Sequence, residues 1–555
     1  MKLTRMLPLL LIPLTAGIAT GQEARPTTVA GRSTVYAPRD ALATSQPLAT
    51  AAGMEMINKG GNAFDAAVAA AAVLNVVEPH MSGMGGDMFA IIWSERDKKL
   101  VALNAGGRSG ALMTREELVR RGRDDVPGSG AESISVPGAL SGWNALVEEY
   151  GNLTLAQVLE PAIRLAEDGF PVSPIIAKQW KGQEAFLKRD RGATEVYLID
   201  GSAPIAGQWF RNPDLARTFK QVATQGIGAF YGGPIGTMVA EGVRELGGFL
   251  TTEDFAKHQV EWITPVSAPY GEYKLWELPP PNQGVAALQM MRLLEGYDLK
   301  AMGHNSTQYL HTLIEAKKLA YADLTGHVGD PDQMKITVDQ MVSDGYINAR
   351  RAMIDPNRAA ARVEPGSDFT SSETIYLAAA DQEGNMVSFI NSVFGYFGSG
   401  VVVPGTGLVL QNRAGGFTLE EGHPNTVAPG KRPFHTLVPA FVTRTSPQGD
   451  EPWLAFGVMG GGMQPQGHAQ VLLNLLVFGM DLQEAIDAPR FRHQSGIRVT
   501  METPISDEVR NALRAMGHDV SEAVSDYGGA QAVMKLTKGW AAGSDPRKDG
   551  HAAGR

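Results

Sequence analysis

The sequence predicts an α+β fold with a largely helical middle region and a strand-rich C-terminal part. Three observations predict it. Two helices of small apolar residues open the chain, a succession of helical segments fills roughly 140–350, and strand patterns dominate from Thr374 onward. The first helix begins at Gln46-Pro47 and runs to about Asn58. Lys59-Gly60-Gly61-Asn62 then reads as a glycine C-cap followed by an asparagine N-cap. The second helix, 63–77, is apolar on nearly every side, the mark of a helix buried all round, and Pro79 ends it. Segments 88–93 and 100–103 read as buried strands joined by the charged turn 94–99. Helices follow at 153–169, 212–226, 235–246, 283–297 and 307–323, the fourth preceded by the rigid turn Pro279-Pro280-Pro281-Asn282-Gln283-Gly284. Residues 362–373 are polar and loop-like and end directly at Thr374. From there a strand runs to the turn Glu383-Gly384-Asn385 and returns, and later helices are expected at 466–478, 482–487 and 506–516.

Composition narrows the function. The 555 residues are 43% hydrophobic and 19% charged, ordinary for a globular protein. A net charge of -10 with no Lys/Arg-rich run argues against a nucleic-acid partner. The chain has no cysteine, which excludes disulfides, thiolate zinc sites and a lipoprotein anchor. Lys2 and Arg5 precede an apolar stretch, 6–19, broken by Pro8 and Pro13, and Ala19-Thr20-Gly21 forms a small-residue site before Gln22. This is a secretory signal pattern, so residues 1–21 are expected to be removed and the protein to be periplasmic or secreted. The stretch is shorter than the ~20 residues of a spanning helix, and no later segment has span character. Asp65, His80 and Asp87 lie close in sequence, but their spacing is not a zinc signature and no metal is expected.

Gly457-Val458-Met459-Gly460-Gly461-Gly462 lies between an expected strand, 453–456, and the helix from about Gln466. Backbone N–H groups at such a turn are free to meet an anion, and glycines let a substrate approach closely. No Lys-Ser/Thr pair follows, so a phosphate-loop reading fails.

The stretch 372–400 resembles the start of the small subunit of the γ-glutamyltranspeptidase (glutathione hydrolase proenzyme) family and its acylase relatives. Further similar stretches appear in family order: Ala43-Thr44-Ser45-Gln46-Pro47-Leu48-Ala49, Gly60-Gly61-Asn62-Ala63, Glu78-Pro79-His80-Met81-Ser82-Gly83-Met84-Gly85-Gly86-Asp87, Gly430-Lys431-Arg432-Pro433, Ala488-Pro489-Arg490-Phe491 and Gly543-Ser544-Asp545-Pro546-Arg547. The resemblance implies a four-layer αββα sandwich of the N-terminal-nucleophile hydrolase type. It implies self-cleavage between Glu373 and Thr374, giving a heterodimer of a large fragment, 22–373, and a small catalytic fragment, 374–555. Thr374 is then the nucleophile, Ser392 the hydroxyl that hydrogen-bonds it, and Gly460 and Gly461 the oxyanion donors. The chemistry is self-sufficient. A freed threonine carries its own base, an α-amine with a reference pKa near ~7.7–8, and amine, hydroxyl and backbone amides need no cofactor. The partners implied are a small-molecule amide and a water or amine acceptor.

The same alignment of motifs shows departures. Ile375 and Tyr376 follow the nucleophile, where the family has a small residue and histidine. The positions that hold a donor's α-amino group fall on Phe394, Arg413 and Gly416, two without a polar side chain and one a permanent cation. The pair that holds the α-carboxylate falls on His435 and Thr436. The carboxylate-binding arginine has no match in register, and Arg108, two positions later, could substitute only if its loop shifts. Gln531, in Tyr527-Gly528-Gly529-Ala530-Gln531, is expected to be structural. An arginine in place of an ammonium-binding group favours a carboxylate or carbonyl. Three readings follow: a γ-glutamyl hydrolase or transferase, an acylase for acidic acyl amides lacking a free α-amine (a dicarboxylic monoamide or a β-lactam side chain), and a non-catalytic exported binding protein.

Overall fold

The computed structural model describes residues 31–363, 373–522 and 527–555. The signal segment and residues 364–372 of the expected linker lie outside them. Two seven-stranded sheets form the centre. The first runs, in order, Val35–Ala37, Trp540–Ser544, Gly529–Lys535, Gly449–Met459, Ala440–Ser446, Tyr273–Glu277 and Val266–Tyr270. The second runs His551–Gly554, Ala41–Thr44, Glu373–Ala380, Met386–Phe394, Asp87–Ser94, Lys99–Ala105 and Glu261–Ile263. Every neighbouring pair in both sheets is antiparallel.

The sheets stack on each other, and helices cover both outer faces, giving the four-layer αββα sandwich. Pro47–Asn58, Ala63–Val77 and Ala139–Tyr150 cover the second sheet, and Gly284–Leu294 and Gln464–Leu476 cover the first. The Ala63–Val77 helix is buried along its whole length. Its capping box is complete, with Asn62 accepting from Phe64 and Asp65 while Asp65 accepts from the Asn62 N–H. The remaining lone pairs of Asp65 take the N–H groups of Asn152 and Leu153, so this carboxylate is a structural one.

The central hairpin, Glu373–Ala380 and Met386–Phe394, turns where expected. Asp381 builds the turn by accepting from the N–H groups of Glu383, Gly384 and Asn385. Between the sheets, Gly457 faces the ring of Tyr376, and a Cβ there would lie 2.5 Å from ring carbons. The missing side chain lets the ring pass between the layers, where the hydroxyl pairs with Ser388 Oγ at 2.7 Å. The contact sets the N-terminal end of Glu373–Ala380 beside the C-terminal end of Gly449–Met459.

Two expectations need correcting. The middle region is helical in the main but contains five strands: the two-residue pair Phe170–Pro171 and Trp209–Phe210, and Glu261–Ile263, Val266–Tyr270 and Tyr273–Glu277, of which the last three complete the far edges of the two large sheets. These three are short and half-exposed and carry Pro269 at an edge, which hides the strand pattern. The glycine-turn strand is longer than 453–456, spanning Gly449–Met459, and its following helix starts at Gln464.

Candidate active site

Thr374 is the second residue of its strand and is fully buried. Its register with the returning strand slips, since Glu373 pairs with Phe394 but Ile375 pairs with Asn391. Thr374 therefore stands at an irregularity opposite 392–393. Its Oγ1 has no hydrogen-bond partner among the described residues. Ser392 pairs in register with Asp87 on the next strand, so Thr374, Ser392 and Asp87 mark a row across three neighbouring strands. The Ser392 hydroxyl accepts from the Phe394 N–H at 2.7 Å.

Phe394 has φ +79°, an outlier for a bulky residue, at the end of this strand. Its ring lies under the guanidinium of Arg413, with Cζ 4.2 Å from the centroid. Arg413 is wholly buried and donates through Nη1 to Thr436 Oγ1 at 3.0 Å. Its Nε and Nη2 have no hydrogen-bond partner among the described residues. Burial pulls its pKa down to about 10, against the pull of Asp87, so it remains a cation at neutral pH.

Asp87 was considered in sequence only as a metal ligand, and the structure makes it the counter-ion of this cation. Oδ1 accepts from Gly107 N, Gly138 N and Gln411 Nε2, while Oδ2 lies 3.9 Å from Arg413 Nε and 3.5 Å from His435 Nε2. Burial pushes its carboxyl up to about 6, opposed chiefly by Arg413. His435 packs edge-on against Phe89, and neither ring nitrogen has a hydrogen-bond partner among the described residues. Burial first, then Arg413 and Arg432, hold His435 well below its usual pKa, so it is neutral and its approach to Asp87 is not an ion pair.

The glycine turn joins the same cluster. Gly460 takes φ +119°, a conformation that only glycine adopts without strain, and a short 3-10 helix, Gly461–Met463, leads into the helix Gln464–Leu476. The first N–H groups of a helix lack intrahelical acceptors. Gln283 Nε2 donates both to Gly461 O (2.9 Å) and to Thr436 O (2.5 Å). The turn is thereby tied to the segment whose Thr436 holds Arg413. Thr374, Ser392, Phe394, Arg413, His435, Thr436, Gly460 and Gly461 are therefore assembled in one region. Arg108 is not brought into it. Its side chain is 45% exposed, with the guanidinium turned to Glu261 Oε1 and Gly430 O. The substitution considered for it in sequence is therefore not made, because an exposed acid holds the side chain outward. Gly416 lies in a short helical turn, its carbonyl taken by Asn425 Nδ2.

His80 is hydrogen-bonded to Gln179 Oε1 and stacked on Tyr396, away from Asp65 and Asp87 in role. One further cluster, His311, Glu315 and His518, brings three ligand-type atoms close together. Its groups already partner one another, His311 Nδ1 with His518 Nε2 at 2.9 Å and Glu315 Oε1 with Lys318 Nζ at 2.7 Å, and the lysine ammonium stands where a cation would be drawn. No helix among the described residues is long and apolar enough to cross a membrane.

The model of the Gamma-glutamyltranspeptidase family matches residues 49–555. This chain belongs to the γ-glutamyltranspeptidase family. It is similar to a glutathione hydrolase-like proenzyme, YwrD, of Bacillus subtilis, with 37% identity covering 91% of this chain and 97% of the relative. It is also similar to an oxamate amidohydrolase proenzyme of Klebsiella pneumoniae, with 34% identity covering 91% and 97%. The crystal structure of a cephalosporin acylase from Bacillus halodurans superposes with a TM-score of 0.90 at 39% identity, covering 97% of this chain and 99% of that one. These relatives support a self-processing N-terminal-nucleophile hydrolase that acts on amides, and the proenzyme names suggest processing into two chains.

Proposed function

We propose that this γ-glutamyltranspeptidase-family chain is an exported acylase that uses Thr374 as an N-terminal nucleophile on acidic acyl amides lacking a free α-amine. Cleavage of the Glu373–Thr374 bond frees the α-amine. The amine takes the Oγ1 proton, directly or through one water, as the oxygen attacks the substrate carbonyl. The negative charge that develops on the carbonyl oxygen meets the N–H groups at Gly460 and Gly461. Collapse breaks the C–N bond, the proton goes to the leaving amine, and an acyl ester on Thr374 remains. Water, deprotonated by the same α-amine, opens the ester and releases the acid, while an amine acceptor in place of water gives transfer.

The observation that carries this reading is the buried Thr374 hydroxyl without a partner among the described residues, at the start of a strand whose Tyr376 packs on Gly457, three residues before Gly460. The substrate class rests on Arg413, a buried cation whose Nε and Nη2 lack partners. Such a group repels an ammonium and takes a carboxylate through charge-assisted hydrogen bonds. The relatives named oxamate amidohydrolase and cephalosporin acylase agree with an acyl group other than γ-glutamyl, and oxamate is itself a dicarboxylic monoamide. The signal pattern at 1–21 supports export to the periplasm or beyond. The test compares glutaryl-p-nitroanilide with γ-glutamyl-p-nitroanilide, which differ by the α-amine alone. A higher kcat/KM for the glutaryl compound is expected, and the reverse order would sink the substrate assignment.

A further inference from the structure

The carbonyls behind the glycine turn are each held from outside its own catalytic face. Met463 N–H donates to Gly460 O at 2.9 Å. Gln283 Nε2 donates to Gly461 O at 2.9 Å, and that oxygen also takes the N–H of Gln464. The hydroxyl of Tyr321 donates to Gly462 O at 2.6 Å, joined there by Gln466 Nε2 at 2.9 Å. In a planar trans peptide the C=O and the following N–H point in opposite directions. Fixing the carbonyl of Gly460 therefore aims the N–H of Gly461, and fixing that of Gly461 aims the N–H of Gly462. Tyr321 acts one peptide further along. It holds the plane that carries the Met463 N–H, which in turn holds Gly460 O.

Gln283 is fully buried, and its amide can face only one way. Nε2 stands between two carbonyl oxygens, those of Gly461 and Thr436, so an oxygen in its place would meet two acceptors and no donor. Its own backbone is fastened to the neighbouring segment, with Gln283 N donating to His435 O and Pro281 O accepting from His435 N. One side-chain amide thus sets the spacing between the glycine turn and the 435–436 segment that supports Arg413. Gln283 and Tyr321 both precede the expected cleavage point, whereas the turn follows it.

We propose that Gln283 and Tyr321 are positioning residues for amide hydrolysis. Tyr321 holds the peptide whose Met463 N–H fastens Gly460 O and so aims the Gly461 N–H at the carbonyl under attack, while Gln283 pins the C=O of Gly461 itself, and the large fragment thereby shapes a site whose nucleophile and donors belong to the small one. The proposal rests on the reading of Thr374 and the glycine turn given above.

The experiment measures steady-state hydrolysis of glutaryl-p-nitroanilide by wild type, Tyr321→Phe, Gln283→Met and Thr374→Ala, with processed protein quantified by intact mass and folding followed by Tm. Removing a whole oxyanion donor costs on the order of 10²–10³ in kcat, and misaiming one costs less. Tyr321→Phe removes one hydroxyl and should lower kcat per processed molecule about tenfold with KM within about twofold and Tm nearly unchanged; Gln283→Met should lower kcat further. Unchanged kcat in Tyr321→Phe, a change in KM alone, or a loss that only tracks the folded or processed fraction would overturn the proposal. Wild-type turnover that survives Thr374→Ala would instead remove the reading beneath it, and the proposal with it.

Discussion

Nε of Arg413 stands 3.9 Å from Oδ2 of Asp87 in a fully buried setting, and neither atom has a hydrogen-bond partner among the described residues. The separation is too long for a hydrogen bond yet close enough for the charges to compensate one another. Asp87 is anchored through its other oxygen by Gly107, Gly138 and Gln411, so the carboxylate cannot swing to cap the guanidinium without giving up those bonds. The result is a cation balanced in charge but with donor capacity to spare. This separates the site from a pocket built for an ammonium group.

Arg413→Gln should therefore cost selectivity more than general activity. Hydrogen bonds to a charged group contribute about 1.5–3 kcal/mol, roughly a 10–100-fold change in kcat/KM. That loss is expected for glutaryl-p-nitroanilide, while the uncharged butyryl analogue changes by no more than a few fold. Tm should also fall, because Asp87 is left as an uncompensated buried charge. Adding Asp87→Asn should recover part of the Tm but none of the selectivity. Equal losses on both anilides would place Arg413 outside the substrate site.

Both sheets are built from both sides of Thr374. In the second sheet, Glu373–Ala380 lies between Ala41–Thr44 and Met386–Phe394, and in the first, Ala440–Ser446 pairs with Tyr273–Glu277. Cutting the chain before Thr374 detaches only the terminal Glu373–Phe394 pair and leaves every other rung of both sheets in place. The processed fragments should co-elute in size-exclusion chromatography at the mass of the full mature chain and separate only in denaturant. Separation under native conditions would contradict this arrangement.

Acid should destabilise the protein through its buried histidines. Burial holds His80 at about 3, against a reference of 6.5, despite its bond to Gln179. The folded value lies below the unfolded one. Stability is therefore full above pH 6.5, and falls as the pH drops toward 3, because the unfolded chain takes up a proton that the folded chain refuses. At pH 4 this single site costs on the order of 3 kcal/mol relative to pH 7. Whatever its stability at neutral pH, His80→Gln should lose less between pH 7 and pH 4 in urea titrations than wild type does. An identical pH dependence in the two proteins would contradict the neutral, buried state of His80.

The parts of the fold legible in sequence are those with strong local signals. Gln46, Asn62 and Ser506 mark helix starts by their side chains, and the apolar 63–77 run announces its burial. The strands between Glu261 and Glu277 carry no such signal, because two of the three are sheet edges and all three mix polar or charged with apolar residues. The candidate site was legible as a set of positions, Thr374, Ser392, Arg413, His435, Thr436, Gly460 and Gly461, whose role is a proposal. What held them was not. Asp87 and Arg413 lie far apart in the chain and meet only through strand pairing and a loop, although a lone carboxylate at the head of an apolar strand was a sign that a buried partner existed. Gln283 reads in sequence as part of a rigid turn, and Tyr321 as one more residue of the 307–323 helix, since a contact to a distant carbonyl leaves no mark on local pattern. Arg108 shows the converse, a residue near the right register whose side chain is drawn off by Glu261.

Intact mass spectrometry with N-terminal sequencing of wild type and Thr374→Ala decides whether Thr374 becomes the N-terminal nucleophile. If it does, wild type yields two fragments, the smaller beginning at Thr374, and Thr374→Ala remains a single uncut, folded chain without amidase activity. A folded wild type that stays in one piece would contradict it and leave an exported binding protein as the reading, and a Thr374→Ala chain that still cuts itself would place the nucleophile elsewhere.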